Sequence, residues 1–221
     1  MKDRAHEILD ILQSRFALPR WNRSTNDPFR TLIATIISQN TTDKNTARAF
    51  KDLSRTFRIT PEILAGAQTS QIERCLKVAG LYRNKATAIK QTSRAIMDRF
   101  HGDLKNILSL PFEESRELLL QLPGVGPKTA DVVLLFCAGK PTIPVDTHVG
   151  RVSKRLGLAS TDGTYEMIRA SLQKLYDPAD YAAVHVLLIH HGREYCKARN
   201  PLCCQCPIDK LCPSKSMWNK E

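Results

Sequence analysis

Four cysteines near the end of the chain, Cys196, Cys203, Cys206 and Cys212, are separated by six, two and five residues in a segment dense with Lys, Arg and Pro. Thiols this close in sequence wrap one soft centre, and a loop tied at four points has few other ways to fold. Spacing leaves the metal open. Zinc sites usually present two short Cys pairs with a longer excursion between them, and here only Cys203 and Cys206 make such a pair. A 4Fe-4S cluster, which takes one thiolate at each iron corner, suits the two isolated outer ligands at least as well. Cys204, a fifth thiol inside the loop, would leave one residue before Cys206 and is read as a bystander.

Seven cysteines in 221 residues are too few for a disulfide scaffold, and an odd number leaves one unpaired. A reducing compartment is expected. The start of the chain lacks a basic stretch followed by an apolar run. No segment approaches the roughly 18 uncharged residues that span a bilayer. The expectation is an intracellular protein of the cytoplasm or nucleoid, without signal peptide or membrane association, acting as a monomer. The 33 Lys and Arg against 22 Asp and Glu give a formal charge of +11. That excess attracts a polyanion at ordinary salt, nucleic acid above all, although a basic surface also serves solubility.

Apolar residues recur at helical spacing over 3–16, 29–37, 42–57, 72–78 and 86–100, while alternating strand patterns are scarce. The class is all-α. Thr60-Pro61 and Leu110-Pro111 place proline in a first helical turn, Ser70 with Glu73 fits a capping box, and Gly102 fits a helix C′ position. A change of character near Gly139 to Pro141 suggests a domain boundary. The expected domains are 27–139, and 1–26 together with 140–221, the latter carrying the cysteine loop 196–212.

Leu122-Pro123-Gly124-Val125-Gly126-Pro127-Lys128-Thr129-Ala130-Asp131 lies between the helical run 112–120 and the apolar stretch 132–137, a helix, hairpin and helix in succession. Two glycines around one small apolar residue permit backbone angles closed to other residues and turn amides outward at a helix N-terminus. Such a nest grips a phosphate and reads no sequence. A bare Gly-x-Gly also fits an ordinary turn between core helices.

With these parts in order, the chain resembles the endonuclease III family of DNA glycosylases, in the helix-hairpin-helix superfamily whose catalytic motif ends with an aspartate. The resemblance rests on Asp27-Pro28-Phe29, Ser38-Gln39-Asn40-Thr41-Thr42-Asp43, Gly80-Leu81-Tyr82, the hairpin with Lys128, Val145-Asp146-Thr147-His148 and the cysteine loop. It covers most of the chain and implies two helical domains flanking a DNA-binding groove. It also implies that Cys196, Cys203, Cys206 and Cys212 hold a 4Fe-4S cluster, and that the partner is double-stranded DNA containing damaged bases or abasic sites.

The implied activity removes oxidised pyrimidines and cuts the abasic strand by β-elimination through a lysine Schiff base. Lysine is the natural nucleophile, but with an ordinary pKa near 10.4 it needs a site that favours the neutral amine. Lys128, just inside the second hairpin helix, is the candidate. Asp146, at an apparent helix start, is the carboxylate expected to stabilise oxocarbenium character in the sugar or to help activate the amine. The target nucleotide must leave the stack, and something must fill its place. By resemblance, Leu81 and Asn40 are the wedges. Relatives commonly carry glutamine at the Asn40 position, so the adjacent Gln39 is an alternative. Leu122, Gly124, Val125, Gly126 and Thr129 of the hairpin, with His148 and Arg151, complete the expected DNA contacts. Lys197, Arg199, Lys210 and Lys215 surround the cysteines, where a tied loop would hold them toward phosphates.

Two other functions fit parts of this pattern. A monofunctional glycosylase for mismatched uracil, thymine or adenine would typically have replaced the lysine. A non-catalytic DNA-binding module would have no use for both Lys128 and Asp146.

Overall fold

The computed structural model describes residues 1–18 and 27–217, and among them every regular element is helical. In chain order the helices are α1 (Lys2–Arg15), α2 (Pro28–Ser38), α3 (Asp43–Thr56), α4 (Pro61–Gly66), α5 (Thr69–Leu76), α6 (Tyr82–Phe100) and α7 (Lys105–Leu108), then α8 (Phe112–Leu120), α9 (Pro127–Ala138), α10 (Thr147–Arg155), α11 (Tyr165–Leu175) and α12 (Tyr181–Glu194). The chain divides into two units. One joins both chain ends, Met1–Trp21 and Pro141–Glu221, and the other is Asn22–Lys140. The N-terminal boundary expected at 26/27 touches residues outside the described ones. No helix among the described residues is long and apolar enough to cross a membrane.

Local sequence explains where several helices begin. Asp27 caps α2 by accepting from the amides of Phe29 and Arg30, with Pro28 in the first turn where a missing N–H costs nothing. Thr42, Thr60 and Thr164 cap α3, α4 and α11 in the same way. Two expected signals work differently, one being Pro111, which is the N-cap of α8 and not a first-turn residue. The capping box at Ser70 and Glu73 does not form, because Gln68 occupies the N-cap of α5 and its backbone carbonyl takes the amides of Gln71 and Ile72. Ser70 is thereby inside the first turn. At the end of α6, His101 itself enters the left-handed region, with φ of 53°, and Gly102 follows it with φ of 78°.

The central unit packs Phe29, Leu32, Ile33 and Ile36 of α2 against Leu53 of α3, Ile72 of α5, Ile89 and Ile96 of α6, and Val133 and Leu134 of α9. Its hairpin helices α8 and α9 are further pinned by Arg116, whose guanidinium donates to the fully buried carboxylate of Asp131 at 2.8 Å. In the terminal unit α1 buries Ile8, Leu9 and Leu12 and docks on α11 and α12, while α10 packs on α12 through Val149 and Val152.

Candidate functional site

In the central unit, α8 ends in a tight turn in which Val125 N–H donates to Leu122 O at 3.1 Å, and α9 opens at Pro127 with Gly126 as its N-cap. Leu122 and Val125 are buried, so their side chains serve the core and Val125's amide closes the turn. Gly124 and Gly126 have different reasons to be glycine. Gly124 has φ of 76°, and a Cβ there would lie 2.6 Å from the Cβ of Ala88 on α6, so packing forbids a side chain. Gly126 has an ordinary φ of −96°, and a Cβ would meet nothing within 4 Å. The fold does not require glycine at 126. The bare backbone there leaves the uncapped N-terminus of α9, with its partial positive charge, open to close approach by an anion. Lys128 is half-buried in the first turn of this helix, and Thr129 beside it is buried.

Helix α6 supports this hairpin along one stripe. Thr92 Oγ1 donates to the carbonyl of Pro123, and Ala88 lies beneath Gly124. The same stripe, stepping back by three and four residues, reaches Lys85 and then Leu81. Leu81, the N-cap residue of α6, is a large apolar side chain left 58% exposed, with left-handed backbone at φ of 45°. A leucine in that conformation costs on the order of 1–2 kcal/mol. Asn40 follows the same pattern, with φ of 52° and an exposed side chain. Gln39 does not. Its Nε2 donates to Gly124 O at 3.1 Å and lies 3.4 Å from Thr129 Oγ1, which commits it to bracing the hairpin.

In the terminal unit, an extended run leads into Asp146, the N-cap of α10, whose Oδ1 accepts from Val149 N–H at 2.7 Å. The run is held from both sides. Buried His185 donates Nδ1–H to Pro144 O at 2.8 Å, which fixes its tautomer, and Val145 N–H donates to Tyr165 Oη at 3.4 Å. His148 is half-buried, and burial, aided by the cations of Arg151 and Arg193, outweighs Asp146 and lowers its pKa. Arg151 is turned inward: its guanidinium donates to Cys196 O at 3.0 Å and Gly192 O at 2.9 Å and contacts His148 Nδ1.

The same unit gathers the four cysteines around one small cavity, with Arg155, His191, Tyr195 and Lys215 in its wall. Cys204 is exposed. Amide N–H groups are directed at sulfur: that of Ile208 at Cys206, and those of Ser214 and Lys215 at Cys212. Arg155 wraps the loop, donating to Lys197 O at 2.7 Å and Ala198 O at 3.1 Å and reaching Cys196 Sγ at 3.5 Å. His191 Nε2 lies 3.8 Å from Cys206 Sγ, and burial pushes the pKa of this histidine down to about 4. Burial, followed by mutual repulsion, raises the Cys203 thiol, and burial drives Cys206 up to about 11. Thiols so placed ionise reluctantly on their own and readily against a cationic centre. Thiolates bound to one zinc at about 2.3 Å would bring every sulfur within about 4 Å of the others. Among the described residues, the set of three or more metal-capable ligand atoms within 4.8 Å of one another is His6, Asp177 and Asp180, so no three of the cysteine sulfurs lie that close together.

Residues 33–178 match the model of the HhH-GPD superfamily base excision DNA repair protein. Endonuclease III of Thermotoga maritima is 39% identical over 206 residues, covering 93% of this chain and 91% of that protein, and endonuclease III of Sulfolobus acidocaldarius is 38% identical over 189 residues, covering 85% and 82%. The chain belongs to the endonuclease III family. A solved complex of endonuclease III with DNA, trapped as a covalent intermediate, superposes with a TM-score of 0.86 at 33% identity and covers 98% of each chain. Within this endonuclease III fold, residues that sequence motifs did not single out hold the motifs in place: Arg116, through Asp131 of the motif, and Thr92 around the hairpin, and Arg155 around the cysteines. Each acts through a long-range partner, which spacing along the chain does not reveal.

The two glycines give a direct check. Gly124→Ala is expected to destabilise the protein by about 2–4 kcal/mol, through strain at positive φ and collision with Ala88, whereas Gly126→Ala should stay within about 0.5 kcal/mol of the parent. Urea unfolding of both variants reads this. Equal losses would remove the argument that Gly126 is there for an approaching group.

Proposed function

We propose that this chain is a base-excision-repair DNA glycosylase with abasic-site lyase activity, acting on oxidised pyrimidines in duplex DNA through a Schiff base on Lys128. The observation that carries the reading is the placement of a half-buried lysine in the first turn of α9, behind a glycine that packing does not demand, in a chain that matches a covalently trapped endonuclease III–DNA complex over 98% of its length. A lysine attacks through its neutral amine, and the first turn of α9 places that amine beside the phosphate which the open helix N-terminus can receive.

The steps follow from the residues. The open N-terminus of α9 takes a DNA phosphate, and Leu81 and Asn40, both exposed on left-handed backbone, enter the duplex as the damaged nucleotide rotates out. Gln39 serves the hairpin, leaving Asn40 as the wedge beside Leu81. Lys128 Nζ attacks C1′, the bond to the base breaks, and the base leaves with the electron pair and takes up a proton. Asp146, held at its N-cap by Val149 N–H and by a braced approach, supplies the fixed negative charge for the oxocarbenium character that develops. Nζ gives up a proton and its electron pair closes the C1′=N bond as the C1′–O4′ bond breaks and O4′ takes up a proton, which opens the sugar as a Schiff base; loss of a C2′ proton then expels the 3′ phosphate and breaks the strand. His148, kept neutral by burial, belongs to the same helix start. Arg151 takes the role of bracing α10 to the cysteine loop.

Cys196, Cys203, Cys206 and Cys212 fit a 4Fe-4S cluster: four soft donors around one cavity, the outer two without a near cysteine partner in sequence, with amides directed at sulfur. When bound, the cluster supplies folding energy and a tie for the basic loop. The two units are read as the functional domains, one carrying hairpin and nucleophile and the other the carboxylate and cluster. An enzyme of this kind works where the cell keeps its DNA.

Lys128→Ala should lower strand cleavage of a lesion duplex at least about a thousandfold, while duplex affinity falls less than about tenfold because the other phosphate contacts remain. Persisting base release without cleavage would instead favour a hydrolytic, monofunctional glycosylase. Cys203→Ser should lose bound iron and sulfide and expose the loop around 196–212 to proteolysis, since a four-ligand site supplies folding energy. Full iron content with a parental melting curve would refute the ligand set.

A further inference from the structure

Lys85 is a buried lysine that none of the steps above uses. Only 4% of it is exposed, one turn into α6 from Leu81, and burial pulls its pKa below the ordinary lysine value. Its Nζ donates to Ala79 O at 2.9 Å, and its backbone N–H donates to Leu81 O at 3.1 Å. One residue therefore holds the carbonyl before Gly80 and the carbonyl of Leu81 itself.

The turn between those carbonyls needs holding. Gly80, at φ of 65° and ψ of 162°, lies in a region essentially reserved for glycine, and Leu81, at φ of 45° and ψ of 31°, is left-handed. Two successive residues in sparsely populated conformations present an apolar side chain to water, and the N-cap of α6 has no side-chain hydrogen bond. Such a turn persists only when its surroundings over-determine it. A lysine is otherwise a poor choice for this interior. Methionine or leucine would fill similar space without desolvating an ammonium that has three donors to satisfy.

We propose that Lys85 is the positioning residue of the wedge: by fastening Ala79 O and Leu81 O to the first turn of α6, it aims Leu81 into the base stack at a fixed height relative to the hairpin. This rests on the reading of Leu81 as the wedge. Lys85 touches neither DNA nor reacting atoms in this account and acts only through Leu81.

The wedge matters where a base pair must be opened, so the test compares two substrates for the full-length protein. One is a duplex with a single thymine glycol opposite adenine. The other is the same lesion strand annealed to a complement lacking the opposing nucleotides, which leaves the lesion already unpaired. Single-turnover rates are measured for the parent, Lys85→Met, Lys85→Gln and Leu81→Ala, with 2-aminopurine beside the lesion reporting unstacking. Lys85→Met should lower the paired-to-unpaired rate ratio about tenfold, the scale of a lost charge-assisted hydrogen bond, together with the 2-aminopurine rise. Lys85→Gln, which keeps a donor, should fall between, and Leu81→Ala combined with Lys85→Met should lower the ratio no further than Leu81→Ala alone. If Leu81→Ala lowers the ratio and Lys85→Met slows both substrates equally, the positioning role is overturned and Lys85 is a stability residue. If Leu81→Ala leaves the ratio at the parental value, the wedge reading fails and this proposal falls with it. Should Lys85→Met not fold, Lys85→Gln carries the comparison, and failure of both to fold also overturns the proposal in favour of a general structural role.

Discussion

The contact between Gly124 and Ala88 sets the geometry on which the central unit depends. There is no room for a Cβ at 124, so the hairpin backbone lies directly on α6, and the Thr92 hydroxyl fastens the preceding carbonyl of Pro123. Positions 81, 85, 88 and 92 fall on one stripe of that helix. At 1.5 Å per residue, the seven-residue step from Leu81 to Ala88 is about 10 Å. A rigid helix thus fixes the spacing between the leucine proposed to enter the stack and the turn proposed to take the phosphate. Neither feature could hold that relation alone, since one is a strained exposed leucine and the other a pair of glycines.

The terminal unit solves a different problem, that of ordering a loop with little apolar material. The loop beyond α12 is made of short 3-10 turns and carries several cations. Arg155 and Arg151 reach it from α10 and tie its carbonyls, while amides of the loop turn back onto sulfur. What these contacts leave in the middle is a set of sulfurs, among which burial, followed by mutual repulsion, raises the pKa of Cys203, and burial raises those of Cys206 and Cys212. A cationic centre bound there would reverse that balance and tie the loop at four points. His191, buried beside Cys206 and held neutral, adds no competing positive charge.

Much of this was legible in the sequence, because the features concerned are local. The cysteine spacing, the hairpin between 112–120 and the next helix, and the N-cap role of Asp146 depend on residues a few positions apart, where propensity and capping chemistry act. Local logic also misleads where two signals compete. Ser70 and Glu73 have capping-box spacing, yet the helix starts earlier, at Gln68, because the chain can satisfy those amides with a backbone carbonyl. What could not be read lies across the fold. Gln39, an alternative to Asn40 as wedge on sequence grounds, has its amide on Gly124 O, 85 positions away, and Arg151, an expected DNA contact, has carbonyl partners at 192 and 196. Lys85 gave no signal, since a lysine one turn into an amphipathic helix ordinarily points to solvent.

The account stands or falls on the identity of the nucleophile. The most direct measurement is borohydride reduction of the protein on duplex DNA containing an oxidised pyrimidine, followed by proteolysis and mass spectrometry of the peptide bearing the sugar remnant. The predicted result is a stable covalent adduct at Lys128 in the first turn of α9. An adduct at another amine, or base release with no adduct under reducing conditions, would contradict it.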